Sequence, residues 1–143
     1  AVVIEFIATR CPVSKAYDQR MIQIYSDYKD KGVEFIGINS NCNPMEPLNE
    51  MKQHATSVGI QFPVLKDNDN IVADLYGAKV TPHIYLLDKK GIIQYIGRVD
   101  DNQNQERVKS QDLRNAIDAI LAGKDVSVQF TKAFGCTIKR VKK

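Results

Sequence analysis

Three cysteines, Cys11, Cys42 and Cys136, are the side chains whose chemistry reaches beyond packing. An odd, sparse set in a chain of 143 residues is no disulfide scaffold and points either to reactivity or to burial. Nor is it a zinc site, because no two cysteines have close ligand spacing and His54 and His83 stand apart, as structural or exposed residues. Cys11 has the most informative neighbours. A β-branched and aromatic run, VVIEFIA, ends just before it, and Pro12 follows it at the start of a helical pattern. Proline suits the first turn of a helix, where the amide it lacks has no partner, so Pro12 fixes the helix entry beside Cys11. The remaining free amides and the helix dipole favour an anion there, hence thiolate over thiol. Arg10 and Lys15 add to that effect if they face the sulfur. A basic helix-start cysteine meets the requirements of a redox nucleophile; the competing reading is a buried structural cysteine.

The elements that must position this sulfur are legible along the chain. Residues 2–8 are apolar nearly throughout, as in a strand buried on both faces. From Pro12, Tyr17, Met21, Ile24, Tyr25 and Tyr28 recur at three- and four-residue spacing, which makes the tyrosines core or core-rim residues, and Gly32 ends the helix. A second strand is predicted over residues 33–40, a loop SNCNPMEP after it, and a helix over residues 48–58. Residues 62–67 read as a short extended piece and 68–78 as a short helix with a glycine stop; Asp67, Asp69 and Asp74 lack the rest of a calcium loop and read as loop and helix-start acids. Two apolar strands, 83–88 and 92–98, flank a Lys-Lys-Gly turn as a hairpin. An amphipathic helix follows, with Ser110 as its expected cap, Leu113, Ile117, Ile120 and Leu121 on one face, and Gly123 closing it. Residues 124–143 carry no helical period and read as an extended C-terminal arm. Early strands alternating with helices are expected to be parallel and the late hairpin antiparallel, giving an α/β fold with a mixed central sheet and helices on both faces.

Composition limits the function classes. The size suits a single domain, 1–143, with 43% apolar and 26% charged residues. No apolar run approaches the roughly 18 residues a membrane helix needs. A net charge of +3 is too mild to argue for nucleic acid, and the terminal KRVKK reads as a solvated tail. The first residue, Ala1, lies inside a strand-like run, so an N-terminal segment is expected to be missing, and any targeting signal with it. Compartment is therefore open between an extracytoplasmic and a cytoplasmic one.

The strand, CPVS at a helix start, VTP before HIYLLD, the hairpin and the final helix together resemble the thioredoxin-like superfamily over essentially the whole chain. Within it, the chain is similar to redoxin-type proteins related to alkyl hydroperoxide reductases and thiol-specific antioxidant proteins. CPVSKAYDQRM and FGCTIKR resemble a branch with a CP-x-x-K motif and a late GC-x-I-K motif. The resemblance implies a cis Thr81–Pro82 bond lying against Cys11, where Thr81 backbone groups meet an extended substrate segment, with Pro12 and Ser14 also at the substrate site. It implies no cofactor and no metal, since the cysteines carry the electrons. The partners it implies are a disulfide-containing protein or small thiol substrate and an external thiol reductant.

The pattern departs from thioredoxin, whose C-x-x-C has a second cysteine where this chain has Ser14. Cys136 is the candidate resolving thiol, on an arm that Phe134 and Gly135 suit for docking, and its alternative is a packing cysteine. Cys42 is another possible partner or a bystander. Two further readings compete with a thiol–disulfide oxidoreductase. A peroxide reductase would want P-x-x-x-T-x-x-C, but Ile4 and Ala8 occupy the proline and threonine positions and Thr9 is displaced by one. A non-catalytic binding module is the other, and proximity of Cys11 to Cys136 discriminates against it.

Overall fold

The computed structural model describes residues 1–42 and 45–142. The middle of the SNCNPMEP loop and the last residue of the tail lie outside the described residues. Strand β1 (Val2–Phe6) runs into helix α1 (Pro12–Tyr28), then β2 (Glu34–Asn39), α2 (Leu48–Val58), β3 (Val64–Lys66) and α3 (Ile71–Tyr76). There follow β4 (Val80–Thr81), the hairpin β5 (His83–Leu87) and β6 (Ile93–Gly97), α4 (Asp112–Leu121) and, in the arm, β7 (Cys136–Thr137).

The five-stranded sheet has the order β3-β2-β1-β5-β6. β1 pairs parallel with β2, and β2 parallel with β3, while β5 and β6 are antiparallel. The sheet is thus mixed, parallel where helices connect the strands and antiparallel where the hairpin does. β1 lies at its centre, which explains its nearly unbroken apolar sequence: Val3 faces one layer, Ile4 and Phe6 the other. On the first face Tyr17, Met21, Ile24 and Tyr28 of α1 meet Leu113, Ala116 and Ile117 of α4 over Val3, Ile84, Leu86 and Tyr95. On the second, Ala73 of α3 and Ile138 of the arm pack with Ile4, Phe6, Ile38 and Tyr85.

Helix α1 gives way after Tyr28 to a 3-10 turn, and Gly32 at φ 81° reverses the chain into β2, a left-handed conformation that glycine adopts without a Cβ penalty. Two expectations are corrected. Gln111, not Ser110, precedes the first turn of α4; the Ser110 hydroxyl instead donates to Asp112 Oδ1 at 2.7 Å. The basic tail is not merely solvated: Arg140 pairs with Asp74 of α3 at 3.0 Å and the Val141 N–H donates at 2.7 Å to Oδ1 of Asn70, the residue before α3.

Candidate active site

Cys11 is the residue immediately before α1 and is only 5% exposed. Its backbone is extended, its carbonyl accepts from the Lys15 N–H at 2.9 Å, and its sulfur accepts from the Ser14 N–H at 3.4 Å. Pro12 occupies the first turn and is exposed. A first-turn amide thus points at the sulfur, an arrangement that stabilises negative charge there.

The turn from β1 to Cys11 is held by two groups that sequence reasoning did not credit. The Ser14 hydroxyl accepts from the Ala8 N–H at 3.0 Å with Ser14 fully buried. Ser14 therefore serves the turn and is not presented to a substrate as expected. Glu46, also buried, accepts from the Thr9 and Arg10 N–H groups at 2.6 and 3.1 Å and from Asn39 Nδ2 at 2.9 Å. Lys66 closes the same corner on the carbonyls of Asn41 and Glu46 and on Asn39 Oδ1, and burial lowers its pKa.

Arg10 and Lys15 do not take the places expected of them. The Arg10 guanidinium forms a two-point pair with Glu50 of α2, at 2.6 and 2.8 Å, and is largely exposed. Lys15 is exposed, and its charge acts on Asp18. Among the described residues neither cation bonds to the sulfur; the helix start supplies the local polarity.

The second half of the site comes from the far end of the chain. Cys11 and Cys136 form a disulfide across 125 residues, with Cα atoms 6.0 Å apart. The Thr81–Pro82 peptide is cis, both residues are buried, and the Thr81 carbonyl oxygen lies 3.7 Å from Cys11 Sγ. The arm pairs with this segment: β4 and β7 are antiparallel, with Thr81 opposite Cys136 and Val80 opposite Thr137. A cleft of about 140 Å³ opens beside the sulfurs, lined by Arg10, Pro12, Met45, Thr137 and Lys139 among others. Cys42 is a free, half-buried thiol whose N–H donates to the Lys139 carbonyl at 2.7 Å.

Beneath α1 lies a buried acidic pair. Glu5 is 1% exposed, and neither carboxylate oxygen has a hydrogen-bond partner among the described residues. Burial, first, and the neighbouring Asp18 charge push its pKa well up. Asp18 is itself raised by burial, against the opposing pull of His54 Nε2 at 2.7 Å. An acid within an apolar run, VVIEFIA, is the sequence signal that identifies Glu5. No group of three or more His, Cys, Asp or Glu that could hold a metal occurs among the described residues, and no helix among them is long and apolar enough to cross a membrane.

Residues 1–96 match the family model described as the AhpC/TSA family. The chain belongs to the AhpC/TSA family. Thiol-disulfide oxidoreductase ResA of Halalkalibacterium halodurans is 32% identical over 92 residues, which cover 64% of this chain and 50% of that protein. The chain thus spans about half the length of this curated relative. Among solved structures, hypothetical protein SMc02350 from Sinorhizobium meliloti 1021 superposes with a TM-score of 0.91 at 35% identity, over 99% of this chain and 80% of that one. A thioredoxin-like protein in its oxidised form shares the fold alone, with a TM-score of 0.71 at 17% identity over 87% of this chain and 79% of that one. The fold is thus thioredoxin-like, and the family is that of the redoxins.

Proposed function

We propose that this AhpC/TSA-family chain is a thiol–disulfide oxidoreductase that uses Cys11 as nucleophile and Cys136 as resolving thiol. The observation that carries the reading is the bond between a helix-start cysteine and a cysteine 125 residues away on a separate arm. A structural cystine has no need of a helix start, a neighbouring Thr81 carbonyl and an adjoining cleft; a redox centre uses all three.

In the reduced chain, Cys11 thiolate attacks one sulfur of a substrate disulfide. The Cys11–substrate disulfide forms, and the other substrate sulfur leaves as thiolate and takes a proton from water. Cys136 thiolate then attacks Cys11 Sγ, the Cys11–Cys136 bond forms, and the remaining substrate thiol is released. An external dithiol returns the pair to two thiols and becomes a disulfide itself. The Ser14 N–H and the helix start stabilise Cys11 as attacking and as leaving thiolate. Thr81 and Pro82 border the path of the substrate, and exposed Pro12 forms part of its entrance. The substrate is a disulfide-containing protein or small disulfide, and the reductant a dithiol.

The test is turnover of a protein disulfide with a dithiol reductant, followed by mass analysis. Cys11→Ser should abolish turnover, and Cys136→Ser should accumulate a mixed disulfide on Cys11. Undiminished turnover in Cys11→Ser would remove the proposal.

A further inference from the structure

The oxidised arm occupies the edge of β4 beside Cys11. Cys136 and Thr137 add a strand to β4, and the Ile138 N–H extends the pairing to the Lys79 carbonyl at 3.0 Å. The residues around the bonded sulfur differ in what they meet. Phe134 packs onto the core in an edge-type contact with Tyr17, centroids 6.1 Å apart. Gly135 has φ +152°, and a β-carbon there would run into the Thr81 carbonyl oxygen. Thr137 is exposed. Ile138 is 3% exposed among Ile4, Phe6, Ala73, Ala78 and Tyr85. The segment is read by a backbone ladder, a steric filter that admits glycine, and an apolar seat two residues beyond the cysteine.

We propose that residues 134–138 are a built-in copy of the substrate: the reduced site binds an extended polypeptide whose cysteine follows glycine and precedes, by two residues, an aliphatic side chain. This rests on Cys11 being the nucleophile and deepens that reading by naming the substrate class. Substrate and arm compete for one edge of β4. While the substrate segment occupies it, Cys11 attacks the substrate disulfide and the mixed disulfide forms. When the arm returns, Cys136 attacks Cys11 Sγ, and the same movement that closes the internal disulfide displaces the substrate thiol. A small disulfide such as glutathione disulfide offers no ladder and no apolar side chain for the Ile138 seat, so it reacts slowly.

The experiment uses the reduced full chain carrying Cys136→Ser. The probe is the peptide KAFGCTIKR, copied from residues 132–140, with its cysteine joined to 2-thiopyridine. Attack by Cys11 on the peptide sulfur forms the mixed disulfide and releases pyridine-2-thione, read by absorbance. Matched probes carry alanine for the glycine, aspartate for the isoleucine, or glutathione in place of the peptide. The parent peptide is expected to react at least tenfold faster than each of the three. Rates within twofold of one another overturn the substrate-copy proposal while leaving Cys11 as nucleophile. No release from any probe overturns the oxidoreductase reading, and this proposal with it. A second measurement needs no variant. In the unaltered reduced chain, closure of the Cys11–Cys136 disulfide by glutathione disulfide is followed with the inert peptide KAFGSTIKR present. The peptide should slow closure at least twofold, its alanine-for-glycine form should not, and closure unchanged by the parent peptide overturns the proposal.

Discussion

Reducing the Cys11–Cys136 bond frees one of the longest loops this chain can form, and the loss of stability follows from its length. The bond joins residues 125 apart, so in the oxidised unfolded chain nearly the whole polypeptide is one closed loop. Chain-entropy arithmetic for such a loop gives about 17 cal/mol/K, or about 5 kcal/mol at 25 °C, in favour of the oxidised folded state. A chain of 143 residues unfolds with an entropy of about 0.3 kcal/mol/K near its midpoint, so the expected fall in Tm on reduction is about 16 °C. The native contacts of the arm do not depend on the bond: the β4–β7 ladder, buried Ile138 and the Arg140–Asp74 pair all remain available to the reduced chain. Reduction should therefore lower stability without unfolding the protein at 25 °C. The assay is thermal unfolding by circular dichroism of oxidised protein, protein reduced with a phosphine, and Cys136→Ser, with Cys42→Ser in both redox states as control. Reduced protein and Cys136→Ser should melt together, well below the oxidised form, and Cys42→Ser should keep the full difference. A fall smaller than about 4 °C would refute the loop-entropy argument.

Three further predictions concern buried ionisable groups. Burial, chiefly, and the Lys79 charge depress His83 to about 4, so the folded state holds a neutral ring. Its contribution to stability is complete above the unfolded value near 6.5 and is lost as pH falls toward 4; wild type should lose about 2 kcal/mol more than His83→Gln between pH 8 and pH 5 in urea titrations, and equal losses would contradict this. Glu5 has the opposite sign: its raised pKa means stability present at low pH that is lost as pH rises from about 4.5 through the folded value, so Glu5→Gln should gain on wild type between pH 4 and pH 8. Asp100 accepts from the Tyr17 hydroxyl at 2.7 Å and from Arg20 at 2.8 Å, all three groups being largely buried. Asp100→Ala strands the Arg20 charge and should destabilise by about 3–5 kcal/mol, whereas Arg20→Met with Asp100→Leu should lose much less in the same denaturation assay.

The sequence made visible what depends on local period. VVIEFIA became β1, the three- and four-residue spacing became α1, the helix at residues 48–58 has the expected bounds, and the hairpin formed at its glycine turn. Alternating strands and helices sufficed for the parallel half of the sheet. Features that depend on contacts between distant residues were hidden. β4 and β7 are two residues each, too short to show any period, and exist because the arm returns to Thr81. Glu46 is an unremarkable loop acid until the fold brings it to the amides of Thr9 and Arg10, about 36 positions earlier. Arg10 looked like a neighbour of the sulfur because it adjoins Cys11, but its long side chain reaches Glu50 instead. Asp67, read among the loop and helix-start acids, does serve a helix start: it is buried and accepts from the Val72 and Ala73 amides at 3.0 and 2.9 Å, though its burial was not legible. Adjacency in sequence does not settle where a flexible charged side chain points; tertiary partners do.

The serine at position 14 explains why, in the proposed cycle, the second sulfur comes on the arm. A residue three positions after a helix-start cysteine lies one turn along, and here that position faces the interior: Ser14 is fully buried and its hydroxyl holds the Ala8 amide at 3.0 Å. Its small polar side chain secures the turn that presents Cys11, a task a thiol performs poorly because sulfur is a weak acceptor. Position 14 is thus committed to shaping the turn, and a second sulfur must come from elsewhere in the fold. Cys136 arrives on a strand whose seat is the β4 edge, so in the proposed cycle the resolving step is tied to docking of that strand rather than to rotation of a neighbouring side chain. In that cycle the glycine before Cys136 and the buried isoleucine two positions after it act on rate as well as stability, because they determine how often the proposed resolving sulfur is in place.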